Sequence, residues 1–234
     1  MISAEKATLF RSDKFVNRFL WEVLPDGSWK NKPCFIIGGG PSLKDFDWSL
    51  LKGKRTIGIN RAFEKFEPTI MFSMDMRYLK WVLNDKYGDA VRDRFFSLRS
   101  YRVWLCTYTV KLPDYIYIVK VYKHYRAGLR AFTNSLKDGI GHGNNSGYAA
   151  LNIAACLGAN PIYLLGFDCK FNNGRTHWHE GHPVPQSEKV VNDFVRFFEK
   201  AAPIIRAMGI KVINLCPESA LNCFEKKPIS EVLH

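Results

Sequence analysis

The feature that most constrains the fold is a series of short apolar runs, several of which end in Gly, Asn or Asp. Runs that are apolar at nearly every position are typical of a mostly parallel sheet covered on both faces. Helices are predicted over Arg77 to about Phe96, Ser146–Leu157 and Ser187–Met208. This alternation predicts an α/β, Rossmann-like fold with a mostly parallel central sheet, helices on both faces and right-handed crossovers. The predicted strands are Cys34–Ile37, Thr56–Ile59, Thr69–Ser73, Arg102–Thr107, Ile116–Val121, Pro161–Leu165 and Lys211–Leu215.

The length of 234 residues fits one large α/β domain. No linker-like stretch divides the chain, so a single domain over residues 1–234 is predicted. Within this domain we expect an N-terminal helical arm over residues 1–30, which includes a helix around Lys14–Val23. A basic subregion is predicted over residues 77–130 and a candidate lid loop over residues 169–187.

Three features of the sequence predict a cytoplasmic protein. No run of about 18 apolar residues is present, as a membrane-spanning helix would need. The first residues lack the apolar core of a secretory signal. The six cysteines form no CxxC pair and mostly lie in apolar runs, as reduced and buried cysteines do. A zinc site built from cysteine is therefore not expected.

The positive charge is unevenly distributed. The chain has a formal net charge of +12, and residues 77–130 contain twelve basic residues against four acidic ones. A basic surface attracts anionic partners such as nucleotides, acidic glycans and lipid head groups. We therefore expect an anionic or glycan acceptor, with a solvated face and a peripheral membrane contact as alternatives. Nucleic acid is not expected, because no nucleic-acid motif accompanies the charge, and a homo-oligomer stays open.

A glycine-rich turn follows the first predicted strand in FIIGGGPSL. Ligands of such sheets bind beyond the carboxyl ends of the strands. At Gly38, Gly39 and Gly40 the backbone can approach a ligand closely, and its N–H groups can face an anion. The pattern is neither GxGxxG nor a P-loop, and a plain strand-to-helix turn is the alternative. The other polar residues at or just after strand ends, Ser42, Asn60, Asp75 and Asp168, are also predicted to bind the nucleotide.

A second glycine-rich segment, GIGHGNNSGYAALNIAACLGA, precedes a helix of small residues. Asn145 or Ser146 can cap this helix, and Gly147 allows close packing at its start. The N-terminus of a helix is a natural site for phosphate or carboxylate. A closely packed helix without a ligand is the alternative.

The segment RTHWHEGHPVP places three histidines and one glutamate within six residues, in a predicted loop. Histidine can act as a general base near neutral pH. A metal site with Asp168 or Asp75 as a carboxylate partner and an uninvolved surface loop are the alternatives. The four residues are His177, His179, Glu180 and His182.

Taken in order, these motifs resemble two related families. FIIGGGPSLKDFDWSLL, NNSGYAALNIAACLGANPIYLLGFD, the Gly-His of HWHEGH and GIKVINLCPESAL are similar to the bacterial sialyltransferases of glycosyltransferase family 42. They resemble equally the archaeal 6-hydroxymethyl-dihydropterin diphosphokinases and the motility-accessory flagellin glycosylation factors. The resemblance covers about residues 34–75 and 140–222 and is specific for the superfamily rather than for one activity.

The sialyltransferase resemblance implies inverting transfer from a CMP-activated sugar without a required metal. It implies that His182 is the base that deprotonates the acceptor hydroxyl. Lys170 stands at the first of two family tyrosines that stabilise the departing phosphate, and Lys170 or Arg175 would neutralise that phosphate instead. Gly39 stands where the family usually has Asn. The residues implied to contact the nucleotide are Gly38, Gly39, Gly40, Asn60, Asn145, Ser146 and Gly147.

The diphosphokinase resemblance implies a reaction of a Mg²⁺–nucleotide complex. Asp75 and Asp168 would be partners of the Mg²⁺, which prefers oxygen ligands. Lys170 and Arg175 would neutralise phosphate charge during phosphoryl transfer. The leading hypothesis is a sialyltransferase-like glycosyltransferase with His182 as general base. A Mg²⁺-dependent pterin diphosphokinase and a non-catalytic nucleotide-binding relative are the alternatives.

Overall fold

A computed structural model describes residues 8, 10–84, 86–107, 110–171, 177–179 and 187–234. Eight of its strands form one sheet in which every pairing is parallel. The predicted α/β, Rossmann-like fold is therefore confirmed. In chain order the elements are β1 (Phe15–Val16), β2 (Cys34–Ile37), β3 (Thr56–Ile59), β4 (Ile70–Ser73), α1 (Met76–Leu83), α2 (Asp89–Ser97), β5 (Tyr101–Cys106), β6 (Leu112–Pro113), β7 (Ile116–Lys120), α3 (Tyr125–Gly128), α4 (Ser146–Cys156), β8 (Ile162–Leu165), α5 (Glu188–Ala207), β9 (Val212–Asn214) and β10 (Glu225–Lys226).

The order of strands in the large sheet is β10-β9-β8-β2-β3-β4-β5-β7. From β2 the chain builds outward through β3, β4 and β5 to β7. It then returns to the other side of β2 as β8 and builds outward through β9 to β10. In open α/β sheets, ligands bind beyond the carboxyl ends of the strands where the order reverses in this way. In this sheet that point lies between β2 and β8.

One face of the sheet is covered by α4 and α5. Alternate strand residues point to opposite faces, so Ile36 and Leu164 pack into this layer, against Ala150 of α4 and Phe198 of α5. Ten of the eleven residues of α4 are buried. Small side chains allow this helix to lie close to the strands, which explains its Gly- and Ala-rich sequence.

The opposite face is covered by α1, α2 and three short 3-10 helices. Phe35 and Ile37 pack with Leu43 in one cluster, while Met71 and Trp104 belong to a second cluster with residues of α1 and α2. The 3-10 helices span Pro41–Leu43, Trp48–Leu51 and Asn60–Glu64. Each of the first two crossovers on this face, β2 to β3 and β3 to β4, is therefore made by short turns rather than by a long helix.

The N-terminal helix predicted around Lys14–Val23 is wrong. Phe15–Val16 instead pairs antiparallel with Leu112–Pro113, and Leu20–Glu22 forms a single 3-10 turn. Tertiary contacts outweigh local helix propensity here, because Phe15 and Phe19 pack against the core cluster formed by α1, α2 and β5.

The single helix predicted from Arg77 to about Phe96 is two helices, α1 and α2. Gly88 lies between them with φ of 86°, a conformation that a helix interior does not contain. The helices predicted over Ser146–Leu157 and Ser187–Met208 are confirmed as α4 and α5, and the seven predicted strands occur within one residue at each end. The domain division remains a prediction.

Part of the charge in residues 77–130 has a structural role. The guanidinium of Arg102 donates to the carbonyl oxygens of Phe95, Phe96 and Leu98 at 2.8–3.0 Å, where α2 ends. Burial lowers the pKa of Arg102. In the part of the chain that the structure describes, no helix combines the length and the apolarity that crossing a bilayer requires.

Candidate functional site

The carboxyl ends of β8, β2, β3 and β4 open into one cavity of about 570 Å³. Neighbouring strands lie roughly 4.8 Å apart, so these four span roughly 14 Å. The start of α4 and the first half of α5 complete the lining. The cavity therefore lies at the reversal of strand order and extends from it towards β4.

The glycine turn after β2 continues the pairing of β2 with β8. The Gly38 amide donates to the Leu165 carbonyl at 2.8 Å, and the Gly40 amide donates to the Gly166 carbonyl at 2.8 Å. A Cβ on Gly38 would lie 2.7 Å from the Gly166 oxygen. Glycine is therefore needed because two loops approach each other, and of the three glycine amides only that of Gly39 lacks a partner among the described residues.

Hydrogen bonds between Ser42 and Asp168 stabilise this turn. The Asp168 carboxylate accepts from the Ser42 amide at 2.9 Å and from the Ser42 hydroxyl at 2.7 Å. Asp168 is buried, and neither residue lines the cavity. Both are predicted to bind the nucleotide, but the structure places them beneath the turn, where the Ser42 amide and hydroxyl donate to the Asp168 carboxylate.

The N-terminus of α4 is the second part of the site. Asn145 caps the helix, its side-chain oxygen accepting from the Tyr148 amide at 3.0 Å. The amides of Ser146 and Gly147 have no partner among the described residues, and both residues line the cavity. Helix N-terminal amides of this kind are an anion-binding arrangement.

A buried histidine that the sequence analysis did not single out holds the loop before α4. His142 Nδ1 accepts from the Asn144 amide at 3.0 Å, and Nε2 lies 3.1 Å from the Tyr125 carbonyl, so the proton is on Nε2. Burial lowers the pKa of His142, although the bond to Tyr125 opposes that effect. In the sequence, the feature that marks His142 is its position between Gly141 and Gly143. The main chain of residues 38–40 and 141–147 is called the backbone wall below.

A second group of lining residues has an unusual property. Four side-chain atoms there are buried without a hydrogen-bond partner among the described residues, although most buried polar groups have one. They are Asn60 Oδ1, Tyr78 Oη, Tyr87 Oη and Trp178 Nε1. These four residues are called the side-chain wall. Only Asn60 was predicted, because aromatic residues in a helix and a loop resemble core residues in a sequence.

Backbone conformation and neighbouring charged residues determine how the side-chain wall is arranged. Asn60 has φ of 50°, a left-handed conformation that is uncommon outside glycine and tends to occur at functional sites. The Arg61 guanidinium lies 4.8 Å from the centre of the Tyr87 ring and donates to Glu64 at 2.8 Å. Burial raises the pKa of Tyr78 well above its usual value, with the charge of Glu64 adding to this, so the hydroxyl stays protonated.

Asp75 lines the cavity but is already engaged. Its carboxylate accepts from the Arg77 amide at 2.8 Å, which caps α1, and forms an ion pair of 2.8 Å with the Arg77 guanidinium. Asp168 is bonded to Ser42 and lies outside the lining, so the two aspartates do not both face the cavity. Among the described residues, no group of three or more His, Cys, Asp or Glu could hold a metal ion.

The histidine segment reaches the glycine turn. The Trp178 amide donates to the Gly39 carbonyl at 2.8 Å, and a Cβ on Gly39 would lie 2.5 Å from His177 Cδ2. The His177 ring therefore takes the space that a side chain at position 39 would fill. His177 and His179 both line the cavity. The predicted base His182, with Arg175 and Glu180, lies outside the described residues.

Lys170 lines the cavity at the end near β8, with Nζ 4.0 Å from Glu218. The structure thus brings most of the predicted residues to one cavity. They are Gly38, Gly39, Gly40, Asn60, Asp75, Asn145, Ser146, Gly147 and Lys170.

A family model described as 6-hydroxymethylpterin diphosphokinase MptE-like matches residues 11–174. That range contains both glycine-rich segments, Asn60 and Asp75. No curated protein and no solved structure gives a match. The resemblance to the diphosphokinases is confirmed, whereas the resemblance to the sialyltransferases stays a prediction. Because the matched range is well over half of the 234 residues, the chain belongs to the 6-hydroxymethylpterin diphosphokinase MptE-like family.

Proposed function

We propose that the cavity binds a nucleotide by its phosphates and that the protein transfers a group from this nucleotide to an acceptor hydroxyl. The observation that carries the proposal is a set of three amides, at Gly39, Ser146 and Gly147, that have no partner among the described residues and belong to residues lining one cavity. Amides at a helix N-terminus and in a glycine turn favour anions. The volume of about 570 Å³ is within the usual range for small-molecule sites.

The chemistry common to both hypotheses is release of a nucleoside monophosphate. In sugar transfer from a CMP-sugar, or diphosphate transfer from ATP, the acceptor oxygen forms the new bond. The bond from the transferred group to the nucleotide phosphate breaks. The acceptor proton passes to a base, for which His182 is the candidate, and Lys170 and Arg175 are candidates to neutralise the departing phosphate.

Different observations favour the two versions. The family match favours diphosphate transfer. The engagement of Asp75 by Arg77 and of Asp168 by Ser42 favours transfer that needs no protein-bound metal, as in the sialyltransferase-like reaction.

The test is a thermal-shift series with CMP, CTP, CDP, UDP, GDP, ATP and AMP, each with and without Mg²⁺. A ligand that binds only the folded state raises the unfolding temperature. Stabilisation by CMP without Mg²⁺ supports glycosyl transfer, and stabilisation by ATP with Mg²⁺ supports diphosphate transfer. No shift with any nucleotide contradicts the proposal.

Catalysis is tested separately from binding, with the nucleotide that stabilises the protein. His182→Ala should abolish transfer and leave the affinity for that nucleotide nearly unchanged, because a base acts on the acceptor rather than on the phosphates. Unchanged transfer by this variant would remove His182 from the mechanism. Absence of turnover in a wild-type protein that binds nucleotide would indicate a non-catalytic relative.

A further inference from the structure

The side-chain wall is the part of the cavity that the proposed function leaves without a role. We propose that Tyr78 and Tyr87 bind the nucleoside of the nucleotide at the end of the cavity over β3 and β4, while its phosphates lie over β2 and β8. This inference rests on the nucleotide binding proposed above.

The first argument is hydrogen bonding. Tyr78 is only 3% exposed, yet its hydroxyl has no partner among the described residues, and the same is true of the Tyr87 hydroxyl. The centroids of the two rings lie 5.8 Å apart, and both residues line the cavity. A buried hydroxyl without a partner destabilises a protein. A ligand that supplies the missing partner removes this penalty. The two hydroxyls are then hydrogen-bonded only when the ligand is bound.

The second argument is charge. Both arginines of this end are paired, Arg61 with Glu64 at 2.8 Å and Arg77 with Asp75 at 2.8 Å. Among the described residues, groups that attract anions lie nearer β8: Lys170 follows that strand, and a Cβ on Gly147, at the N-terminus of α4, would lie 2.6 Å from the ring of Phe167, which also follows β8. A ligand with one anionic and one neutral end therefore places its neutral end against the tyrosines.

The third argument is the type of hydrogen-bonding atom. Asn60 Oδ1 accepts and cannot donate, so its missing partner must be a donor. The N–H groups of a base and the hydroxyls of ribose are donors, whereas ionised phosphate oxygens only accept. Tyrosine hydroxyls complement the same groups, because they donate and accept.

The experiment compares Tyr78→Phe and Tyr87→Phe with the wild type, because each variant removes only one hydroxyl. Dissociation constants are measured calorimetrically for AMP, ATP, CMP and CTP. Each variant should bind the preferred nucleoside about 3- to 10-fold more weakly. The factor should be the same for its monophosphate and its triphosphate. The unfolding temperature of the free variants should equal or exceed that of the wild type.

The matched control is Tyr115→Phe. Tyr115 donates its hydroxyl to the Phe10 carbonyl at 2.6 Å and does not line the cavity. This variant should unfold at a lower temperature and bind nucleotides as the wild type does. Unchanged affinity in both wall variants would overturn the inference and leave the proposed function standing. A loss that grows with the number of phosphates would place the hydroxyls at the phosphates and overturn it too. A wild type that binds neither these four nor any other nucleotide of the thermal-shift series would remove both proposals.

Discussion

The two walls of the cavity differ in which of their polar groups have partners. In the backbone wall, the amides of Gly38, Gly40 and Asn144 have partners and Asn145 caps α4, whereas the three amides proposed to bind phosphate have none among the described residues. In the side-chain wall, four polar atoms have none among the described residues. The first wall contributes to the stability of the free protein, whereas the second reduces it. Polar groups without hydrogen-bond partners in the free protein are expected where function requires them for ligand binding, even though they lower stability.

This contrast separates stability from binding. Substitutions in or beneath the backbone wall should lower the free energy of unfolding. They should change the affinity for ligands only because they disturb the loop conformation. Removal of an unpartnered hydroxyl from the side-chain wall, as in Tyr78→Phe, should leave the free energy of unfolding unchanged or raise it.

The largest effect is expected from Gly40→Ala. A Cβ at this position would overlap Asp168 Oδ2 and lie 2.6 Å from the Gly166 carbonyl oxygen, so both loops must move. We expect the free energy of unfolding to fall by about 3 kcal/mol, measured by urea denaturation. The control is Gly209→Ala, with φ of 74° and no atom within 4 Å, which should cost about 1 kcal/mol. Equal losses in the two variants would show that the turn is loosely packed.

The second effect is expected from Asp168→Ala. This change removes a buried carboxylate that accepts two hydrogen bonds from Ser42, and it leaves the Ser42 amide without its partner. We expect a loss of about 2 kcal/mol, because hydrogen bonds to charged groups are stronger than neutral ones. Ser42→Ala removes only one of the bonds and should cost about half as much, on the same scale. Asp168→Ala with wild-type stability would contradict this stabilising role.

The backbone wall could be predicted from the sequence because its requirements are local. Glycines after an apolar strand, and an Asn-Ser-Gly start to a small-residue helix, reflect turn geometry and capping at neighbouring positions. The strands were predictable for the same reason, since a buried parallel strand is apolar throughout. Asp168 was recognised as important from its place after β8, but its role depends on Ser42, which is 126 residues away in the chain.

The side-chain wall could not be predicted, because its property is the absence of partners. Whether the hydroxyls of Tyr78 and Tyr87 are satisfied depends on how α1 and the following loop pack on β3. That packing depends on tertiary contacts, which local sequence patterns do not reveal. The N-terminal helix was wrongly predicted for a related reason, since the pairing of Phe15 with Pro113 joins distant segments. Local patterns therefore locate the site, and long-range packing decides which side chains complete it.

The third prediction is that acid weakens the backbone wall through His142. Its pKa is lowered by burial, so below about pH 6.5 the unfolded chain takes up a proton that the folded chain does not. The contribution of His142 to the free energy of unfolding is thus complete above that pH. It declines as the pH falls, by at most about 1.4 kcal/mol per pH unit.

Denaturation of the wild type and of His142→Gln at pH 7.0, 6.0 and 5.0 checks this. The variant should be less stable at pH 7.0, because it loses the ring that holds Asn144, and its stability should depend less on pH. His124→Gln is the control, since this exposed histidine caps only the short helix α3. An equal pH slope in the wild type and His142→Gln would contradict the prediction.

The smallest effect on stability is expected from Lys170→Gln, which tests whether the anionic end of the cavity acts through charge. Lys170 is 40% exposed and lies 4.0 Å from a Glu218 that is 89% exposed, a geometry that contributes little to folding. The free energy of unfolding should change by less than about 0.5 kcal/mol. Affinity should instead fall more for a nucleoside triphosphate than for its monophosphate, because each added phosphate increases the charge that Lys170 faces. Tyr78→Phe is expected instead to weaken both nucleotides by the same factor, so calorimetry on the two variants assigns the two ends of the cavity. An equal loss for both nucleotides in Lys170→Gln would show that this lysine does not contact the phosphates.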